Sequence, residues 1–277
     1  MRSQGLRPKK GLGQNFLLDP AALRRIVAAA EVTPDAAVLE IGAGLGSLTR
    51  YLAAAARRVV AVELDQKLFP VLQQVMAPWP NVTLYPGDIL ELNPGELMAE
   101  PAYLVVANIP YYITSAVIRH LLETPLKPAR MVLTVQREVA ERITAAAGKL
   151  SLLALSVQVY GQPQKVAHIP AGAFYPPPKV DSAVVRVELF PQPLIPPAQL
   201  DAFFTLARAG FGQKRKTLRN ALAAGLGWKA EKTAEWLQAA GIDPQRRAET
   251  LSLPEWRTLV SAYTQSAEAL PDHSPAV

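Results

Sequence analysis

A glycine-rich turn follows the first long apolar run of the sequence and could hold an organic ligand against its backbone. The turn, Gly42-Ala43-Gly44-Leu45-Gly46-Ser47, leads into a helical pattern. Glycines there let the chain turn tightly and approach a ligand closely. Glu63 follows at the spacing, about 20 residues, where a carboxylate can accept both ribose hydroxyls of a nucleoside. Asp88 ends a later apolar run and could accept an adenine amine. The alternatives are a tight turn without a ligand, a solvated carboxylate and an Asx turn.

The segment Asn108-Ile109-Pro110-Tyr111 could make an exocyclic amine nucleophilic. The lone pair of an adenine amine is delocalised into the ring, so the amine is a poor nucleophile. Two acceptors on its hydrogens, the Asn108 side-chain oxygen and the Ile109 carbonyl, would localise that lone pair. Pro110 stiffens the turn, and Tyr111 offers a face for a base taken out of its stack. The alternative is an ordinary Asn-x-Pro turn at a strand end.

Short apolar runs rich in β-branched residues must position these side chains. Such runs, with helical patterns between several of them, are typical of buried parallel strands in an α/β fold. Ligands of open α/β sheets bind at the carboxyl ends of the strands. The sequence predicts strands at residues 37–41, 58–62, 82–85, 103–107 and 130–135, with a late strand at 182–189. Residues 150–160 could form a buried helix or a strand, because periodicity does not decide.

A proline-rich segment at residues 191–197 can continue neither a strand nor a helix and predicts a linker. Residues 1–190 then form a catalytic domain with a basic N-terminal extension, and residues 198–265 form a small all-helical RNA-binding domain. Helices are predicted at residues 198–209, 214–224, 231–240 and 254–265. The polar residues 266–277 predict a disordered tail.

Composition narrows the classes of protein. The 277 residues carry 29 Lys and Arg against 23 Asp and Glu, and this basic excess fits a polyanionic partner. The absence of cysteine excludes thiolate zinc sites and cysteine nucleophiles, and the three histidines lack metal-ligand spacing, so no metal is expected. No apolar run is long enough to span a bilayer and the basic N-terminus lacks an apolar signal region, so we expect a cytoplasmic protein. Nothing calls for a dimer, so a monomer is expected.

Basic clusters predict contacts with an RNA backbone. Lys214, Arg215, Lys216 and Arg219 are expected at a helix start, where Arg215 and Arg219 would share a face. Cations there oppose the helix dipole, and a phosphate partner would relieve that cost. Lys9, Lys10 and Arg137 are further predicted contacts. The alternative for the main cluster is a solvated helix face.

Ser47 stands where the dinucleotide fingerprint G-x-G-x-x-G needs its third glycine, so the turn does not match that fingerprint. Its G-x-G-x-G form resembles the S-adenosylmethionine (SAM) turn of class I methyltransferases. Nearly the whole chain resembles the ribosomal RNA adenine dimethyltransferases, and most closely their bacterial small-subunit members. This resemblance rests on residues 13–17, 42–46, 63, 87–88, 108–111, 173–182 and 211–220.

The resemblance implies a Rossmann-like, mostly parallel sheet, SAM as cofactor, and 16S rRNA of the small ribosomal subunit or its precursor as partner. The implied activity is methylation of adenine N6 amines to N6,N6-dimethyladenosine during ribosome assembly. It also implies that Asn15 and the Leu17 backbone close over SAM, and that Phe174 packs on the target adenine opposite Tyr111. The implied remaining SAM contacts are Gly42, Gly44, Glu63, Asp88 and Asn108.

Three other functions stay open at this point. A large-subunit adenine methylase of the macrolide-resistance type shares the catalytic motifs, although the Phe174 loop and residues 211–220 favour the small-subunit type. A non-catalytic ribosome assembly factor would need a decayed site, against which Glu63 and the intact segment 108–111 argue. A nicotinamide-dependent oxidoreductase is disfavoured by Ser47. One departure is that the stretch 143–151 is shorter than the family's usual loop, which weakens the expectation of RNA contacts there.

Overall fold

The computed structural model describes residues 8–268, which fall into two compact units. The first, here called the α/β unit, comprises residues 8–141 and 161–189. The second, here called the helical unit, comprises residues 142–160 and 190–268. Among the described residues, no helix has both the length and the apolar character needed to cross a bilayer.

The α/β unit contains a seven-stranded sheet in the order β4-β3-β2-β5-β6-β9-β7 and a separate pair formed by β1 and β8. The strands are β1 (Phe16–Leu17), β2 (Ala37–Ile41), β3 (Arg58–Glu63), β4 (Val82–Pro86), β5 (Leu104–Asn108), β6 (Arg130–Gln136), β7 (Gly161–Ile169), β8 (Phe174–Tyr175) and β9 (Ser182–Leu189). Helices preceding β7 are α1 (Pro20–Ala30), α2 (Ser47–Ala55), α3 (Phe69–Met76), α4 (Pro94–Met98), α5 (Thr114–Glu123), α6 (Arg137–Ile143) and α7 (Leu152–Gln158).

The predicted parallel sheet is confirmed. The neighbouring strands among β2 to β6 pair in parallel, and β9 pairs antiparallel with β6. All six predicted strands lie within one residue of their predicted bounds. All five residues of β2 are buried, as expected of a strand covered on both faces.

Strand β7 was not predicted, and its composition explains why. It contains the polar run Gln162-Pro163-Gln164-Lys165, which lacks the apolar character of a buried strand. β7 is the last strand of the sheet. Proline is tolerated in such an edge strand because the backbone groups on its outer side pair with no other strand, so the missing N–H of proline breaks no hydrogen bond. The register with β9 also shifts between Lys165 and Ala167, which breaks the alternation.

Helix α1 anchors the chain that leads to the site. Asp19 caps it by accepting hydrogen bonds from the amides of Ala21 and Ala22, and Pro20 occupies the first turn. Leu23, Ile26 and Ala30, which recur at helical spacing, are buried in the core of the α/β unit. Burying a leucine or isoleucine side chain contributes about 1.5–3 kcal/mol each, so α1 fixes the position of the segment before it.

The short pair of β1 and β8 joins distant parts of the sequence. The antiparallel register sets Phe16 opposite Tyr175 and Leu17 opposite Phe174. The amide of Leu18 also donates to the Ala173 carbonyl at 3.0 Å. Two segments that the sequence analysis singled out separately, 13–17 and 173–182, therefore meet.

The helical unit resolves the ambiguous segment 150–160 as helix α7, with Ser151 as its N-cap. The later helices are α8 (Leu200–Phe211), α9 (Leu218–Leu226), α10 (Ala230–Ala239) and α11 (Leu253–Glu268). Trp256 is fully buried and stacks on Phe211 at a centroid distance of 5.9 Å. The core of this unit forms around that pair.

The division of the chain differs from the sequence-based one in three places. Residues 142–160 group with the helical unit, whereas the sequence placed them in the catalytic domain. The segment 191–197 is not a free linker, because Ile195 is 1% exposed and the Leu194 amide donates to the Val159 carbonyl at 2.8 Å. α11 runs to Glu268, three residues into the predicted tail. Residues 269–277 lie outside the described residues.

Candidate active site at the carboxyl edge of the sheet

An open cleft lies where β2, β3, β4 and β5 end. Nine of the residues singled out from the sequence line it: Asn15, Gly42, Gly44, Glu63, Asp88, Asn108, Ile109, Pro110 and Tyr111. Gly13, Gln14 and Phe16, which belong to the segment 13–17 but had no role of their own, also line it. Residues of the lining that sequence reasoning missed include Leu12, Leu64, Ile89 and Tyr112. Several of these directly adjoin predicted residues, and that adjacency was a usable signal.

The glycine turn needs its glycines for conformation and for space. Gly42, Gly44 and Gly46 have φ values of +77°, +60° and +78°. L-residues rarely adopt this left-handed region, so a side chain at any of the three would be strained. A Cβ atom on Gly44 would also come within 3.2 Å of the Phe16 ring. The turn thus leaves a bare backbone facing the cleft.

Glu63 ends β3 and is only 6% exposed. Its Oε2 accepts a hydrogen bond from the Gly44 amide and its Oε1 accepts one from the Asp65 amide, each at 2.7 Å. Burial raises the pKa of Glu63, and the two amide donors only partly oppose that rise. A carboxylate has about four acceptor positions, so Glu63 can still accept hydroxyl donors from a ligand while the amides orient it.

We expect Glu63→Gln to raise the dissociation constant for SAM at least tenfold and to flatten its dependence on pH. Glutamine has one acceptor oxygen in place of two, so with that oxygen engaged by the Gly44 or Asp65 amide the NH₂ group would stand where a ribose hydroxyl needs an acceptor. A polar group left unpaired in the complex costs about 1–3 kcal/mol of binding. In the unmodified protein, SAM affinity should fall as the pH drops through the raised pKa, since the protonated carboxyl accepts fewer hydrogen bonds.

Isothermal titration calorimetry between pH 5 and 8 would measure both effects. Glu123→Gln is a matched control, because Glu123 lies on α5 and is 53% exposed. An unchanged affinity and pH profile in Glu63→Gln would contradict a ligand role for Glu63.

Asp88 both forms the predicted Asx turn and lines the cleft. Its Oδ1 accepts from the Leu90 amide at 2.9 Å, and its backbone carbonyl accepts from the amides of Glu91 and Leu92. The two interpretations of Asp88 are therefore compatible. The turn holds the carboxylate at the cleft with its second oxygen, Oδ2, available to a ligand.

Asn108 is the last residue of β5, opposite Thr134 of β6. Its Nδ2 donates to the Asn15 carbonyl at 3.2 Å. This hydrogen bond fixes which end of the amide is engaged by the protein, so Oδ1 is the end left to accept from a ligand. Next to it, Ile109 has a buried side chain, 1% exposed, that anchors the backbone carrying the predicted second acceptor.

Tyr111 begins a short 3-10 helix after Pro110, and its position is fixed by its hydroxyl. That hydroxyl lies 2.6 Å from the Ser182 hydroxyl. Burial raises the pKa of Tyr111, and the Ser182 hydrogen bond opposes the rise in part, so the phenol stays neutral. The ring is thereby held beside Asn108 without adding charge to the cleft.

Phe174 does not line the cleft. It is 4% exposed and packs in the core of the α/β unit with Leu17 and Ile26. Phe174 therefore serves as a hydrophobic anchor for its proline-rich loop, and stacking on a base would require the ring to leave that core. Leu17, also 4% exposed, lines a smaller adjoining cavity rather than the cleft. The cofactor role of Leu17 and the stacking role of Phe174 stay predictions.

Glu40 is a carboxylate that sequence reasoning missed, although a charge inside an apolar strand was the available signal. It lies in β2, is 1% exposed and lines the same smaller cavity. Burial raises the pKa of Glu40 to about 8, opposed by the nearby Thr49 hydroxyl and with a contribution from the nearby Glu63 charge. Glu40 is therefore mostly protonated at neutral pH.

The structure changes the interpretation of the main basic cluster. α9 begins at Leu218, so Lys214, Arg215 and Lys216 lie in the preceding turn and Arg215 shares no helix face with Arg219. The amides of Leu218 and Arg219 donate to the carbonyls of Arg246 and Pro244, which leaves them unavailable to a phosphate. The three turn residues are exposed, and we find no carboxylate within 4.0 Å of them among the described residues.

The other predicted RNA contacts differ in availability. The Lys9 ammonium is 2.7 Å from an Asp65 carboxylate oxygen, so its charge is already paired. Arg137 is 61% exposed and makes a long, 3.8 Å pair with Glu141. The side chain of Lys10 lies outside the described part of the chain. Arg219 donates to the neutral Asn220 side chain at 3.1 Å. Arg137, Arg219 and the turn before α9 therefore remain predicted RNA contacts, and among the described residues the turn has no carboxylate partner.

Comparisons with known proteins identify the family and the fold. The sequence profile described as "Ribosomal RNA adenine dimethylase" matches residues 5–265. "Ribosomal RNA small subunit methyltransferase A" of Dehalococcoides mccartyi (strain CBDB1) is 50% identical over 265 residues, which are 95% of this chain and 91% of that protein.

Two solved structures share the fold over 91% of this chain. The 23S rRNA methyltransferase ErmE is 30% identical with a TM-score of 0.73, and all of its chain is covered. A dimethyladenosine transferase from Plasmodium falciparum has a TM-score of 0.77 at 24% identity, with 98% of its chain covered. The latter likeness concerns the fold alone.

Proposed function

Since this chain belongs to the ribosomal RNA adenine dimethylase family, we propose that it transfers methyl groups from SAM to the N6 amines of adenines in small-subunit rRNA. The product would be N6,N6-dimethyladenosine, formed in 16S rRNA of the small subunit or its precursor. The observation that carries the proposal is the convergence of Gly42, Glu63 and Asn108 on one cleft.

The residues of the cleft fit SAM. The left-handed turn at Gly42 and Gly44 leaves room for a ligand close to the backbone, since a Cβ at Gly44 would take that space beside Phe16. The Glu63 carboxylate suits two ribose hydroxyls, and Asp88 suits the adenine amine of the cofactor. When bound, SAM supplies an electrophilic methyl group.

The chemistry asked of the protein is positioning and polarisation. Asn108 Oδ1 and the Ile109 carbonyl accept the two hydrogens of the target amine and localise its lone pair toward the methyl group. Tyr111, held through Ser182, presents a face to the flipped base. No carboxylate base is needed, because the amine loses its proton after transfer. A second round requires that the same pocket accept a monomethylated amine.

The similarity to relatives favours small-subunit rRNA over large-subunit rRNA. The D. mccartyi relative, named for the small subunit, is 50% identical, whereas the large-subunit methylase ErmE is 30% identical. The catalytic cleft itself does not separate these substrates, because both would present an adenine amine. A preference for small-subunit over large-subunit rRNA must therefore come from surfaces outside the cleft.

We expect immature small subunits to accept labelled methyl groups from SAM, and large-subunit RNA to remain unlabelled. Scintillation counting of each RNA after incubation with the protein measures the transfer. Label in the large-subunit RNA alone would support the large-subunit alternative. Label in neither, with SAM still bound, would support a non-catalytic assembly factor. Thermal stabilisation by NAD rather than by SAM would instead favour an oxidoreductase.

A further inference from the structure

Asp65 is a charged residue buried beside the cleft, and the chemistry described above does not use it. The residue is 4% exposed. Its Oδ1 accepts a hydrogen bond from Lys9 Nζ at 2.7 Å, and its Oδ2 accepts one from Gln14 Nε2 at 2.9 Å. Burial raises the pKa of Asp65, but the Lys9 and Gln14 hydrogen bonds outweigh it, so the pKa lies below its usual value. Asp65 is ionised at neutral pH.

Lys9 and Gln14 also close a loop on each other. Gln14 Oε1 accepts from the Lys9 amide at 2.8 Å, and the Lys9 carbonyl accepts from the Leu12 amide at 3.1 Å. Both ends of this loop thus bind one carboxylate. We call the set of Lys9, Gln14 and Asp65 the Asp65 latch.

The latch fixes the segment that forms one wall of the cleft. Residues 12–16, which begin inside the loop closed by Lys9 and Gln14 and continue beyond it, line the cleft. Within this segment, the Asn15 carbonyl accepts from Asn108 Nδ2 and so sets which end of that amide stays available. Phe16 continues into β1, which pairs with β8. The segment is therefore fixed at its start by the latch and at its end by β1.

The backbone of Asp65 acts on the opposite wall. Its amide donates to Glu63 Oε1 at 2.7 Å, and Glu63 is the proposed acceptor for the ribose hydroxyls of SAM. One residue therefore holds the ribose side of the cleft through its backbone and the 12–16 segment through its side chain. A water-exposed turn would not need a buried carboxylate with these partners.

We propose that Asp65 is a positioning residue for the cofactor, which holds residues 12–16 across the SAM cleft through Lys9 and Gln14. This inference rests on the proposed use of SAM. Without the latch, residues 12–16 are free to move, and SAM binding must order them. The entropy lost in that ordering weakens SAM binding. The latch also explains why Lys9 is an ion-pair partner in this structure rather than an open RNA contact.

The test is a double-mutant cycle on SAM binding in the full-length chain. Asp65→Asn and Lys9→Met each remove the ion pair, and Asp65→Asn leaves the backbone donor to Glu63 in place. We expect each variant to raise the SAM dissociation constant about tenfold by calorimetry, as for loss of a charge-assisted hydrogen bond. The SAM dissociation constant of the double variant should be about equal to that of the weaker-binding single variant, because both substitutions remove the same interaction. Gln14→Ala, which keeps the charges, should weaken SAM binding in the same direction.

Lys67→Met is the matched control. Lys67 is exposed and lies two positions after Asp65. Its backbone amide donates to Asp65 Oδ1 at 3.1 Å, which the substitution preserves, but its side chain is not part of the latch. Its removal should leave the SAM dissociation constant unchanged. If Lys67→Met weakened SAM binding as much as Lys9→Met, the effect would come from the loss of a positive charge in general, and the proposal would be overturned. Independent, multiplicative effects of Asp65→Asn and Lys9→Met would also overturn it, as would unchanged binding. If the unmodified protein binds no SAM, the proposed function fails instead.

Discussion

Asn108→Ala is expected to lower the rate of methyl transfer at saturating SAM and RNA by about 10²–10³-fold, the usual cost of removing one catalytic hydrogen-bonding group. The change deletes the acceptor that would localise the amine lone pair, while the Ile109 carbonyl remains. It also removes the hydrogen bond from Nδ2 to the Asn15 carbonyl, which is 3.2 Å long. SAM binding should therefore be weakened but still detectable by calorimetry.

Single-turnover rates with small-subunit particles would measure this effect separately from binding. Asn93→Ala is a suitable control, because Asn93 caps α4 and its loss costs about 1 kcal/mol of stability without touching the cleft. Full transfer activity in Asn108→Ala would remove the basis of the proposed mechanism.

Changing Lys214, Arg215 and Lys216 together to alanine should weaken RNA binding by about 10–100-fold near 0.15 M salt. These side chains are exposed, and no carboxylate among residues 8–265 lies within ion-pair distance of them. Each phosphate contact adds roughly one to the slope of log affinity against log salt, so the slope should fall by about two to three. Filter binding of small-subunit RNA across a salt series measures both quantities.

A variant with the same change in net charge provides the control. Alanine at Lys67, Arg119 and Lys127 also removes three positive charges, from sites outside the cluster. If that variant reduces the salt slope as much, the effect belongs to overall charge rather than to the turn before α9. An unchanged slope in the first variant would refute its phosphate contacts.

The sheet and most of the cleft could be predicted because their determinants are local. The strands that end at or just before Glu63, Asp88 and Asn108 are short runs rich in apolar and β-branched residues, and parallel strands bring their carboxyl ends to one edge. The glycine turn follows from residue type, since its φ values are positive at all three glycines. These parts need only short-range patterns and a general rule of α/β folds.

Features that depend on distant partners could not be predicted in the same way. Phe174 is buried because β8 pairs with β1, at the other end of the α/β unit's sequence. The partners of Asp65 lie 56 and 51 positions away, at Lys9 and Gln14, so its burial leaves no local pattern. An isolated aspartate after a strand is usually a solvated charge, and only the packed structure distinguishes the two cases.

The start of α9 was predicted wrongly for a different reason. The sequence predicted that a helix begins at residue 214, but α9 begins at Leu218. The amides of its first turn are satisfied by carbonyls at Pro244 and Arg246 rather than by a side-chain cap. A start defined by tertiary contacts carries no capping signature, which is why the basic turn was placed on the helix.

The most direct test of the central claim is nucleoside mass spectrometry of small-subunit RNA after incubation with SAM and the purified protein. The account predicts N6,N6-dimethyladenosine with the unmodified protein and a near-complete loss of it with Asn108→Ala. Methyl groups found on a ring nitrogen or a ribose hydroxyl would contradict it, because the Asn108 and Ile109 acceptors act on the hydrogens of an exocyclic amine.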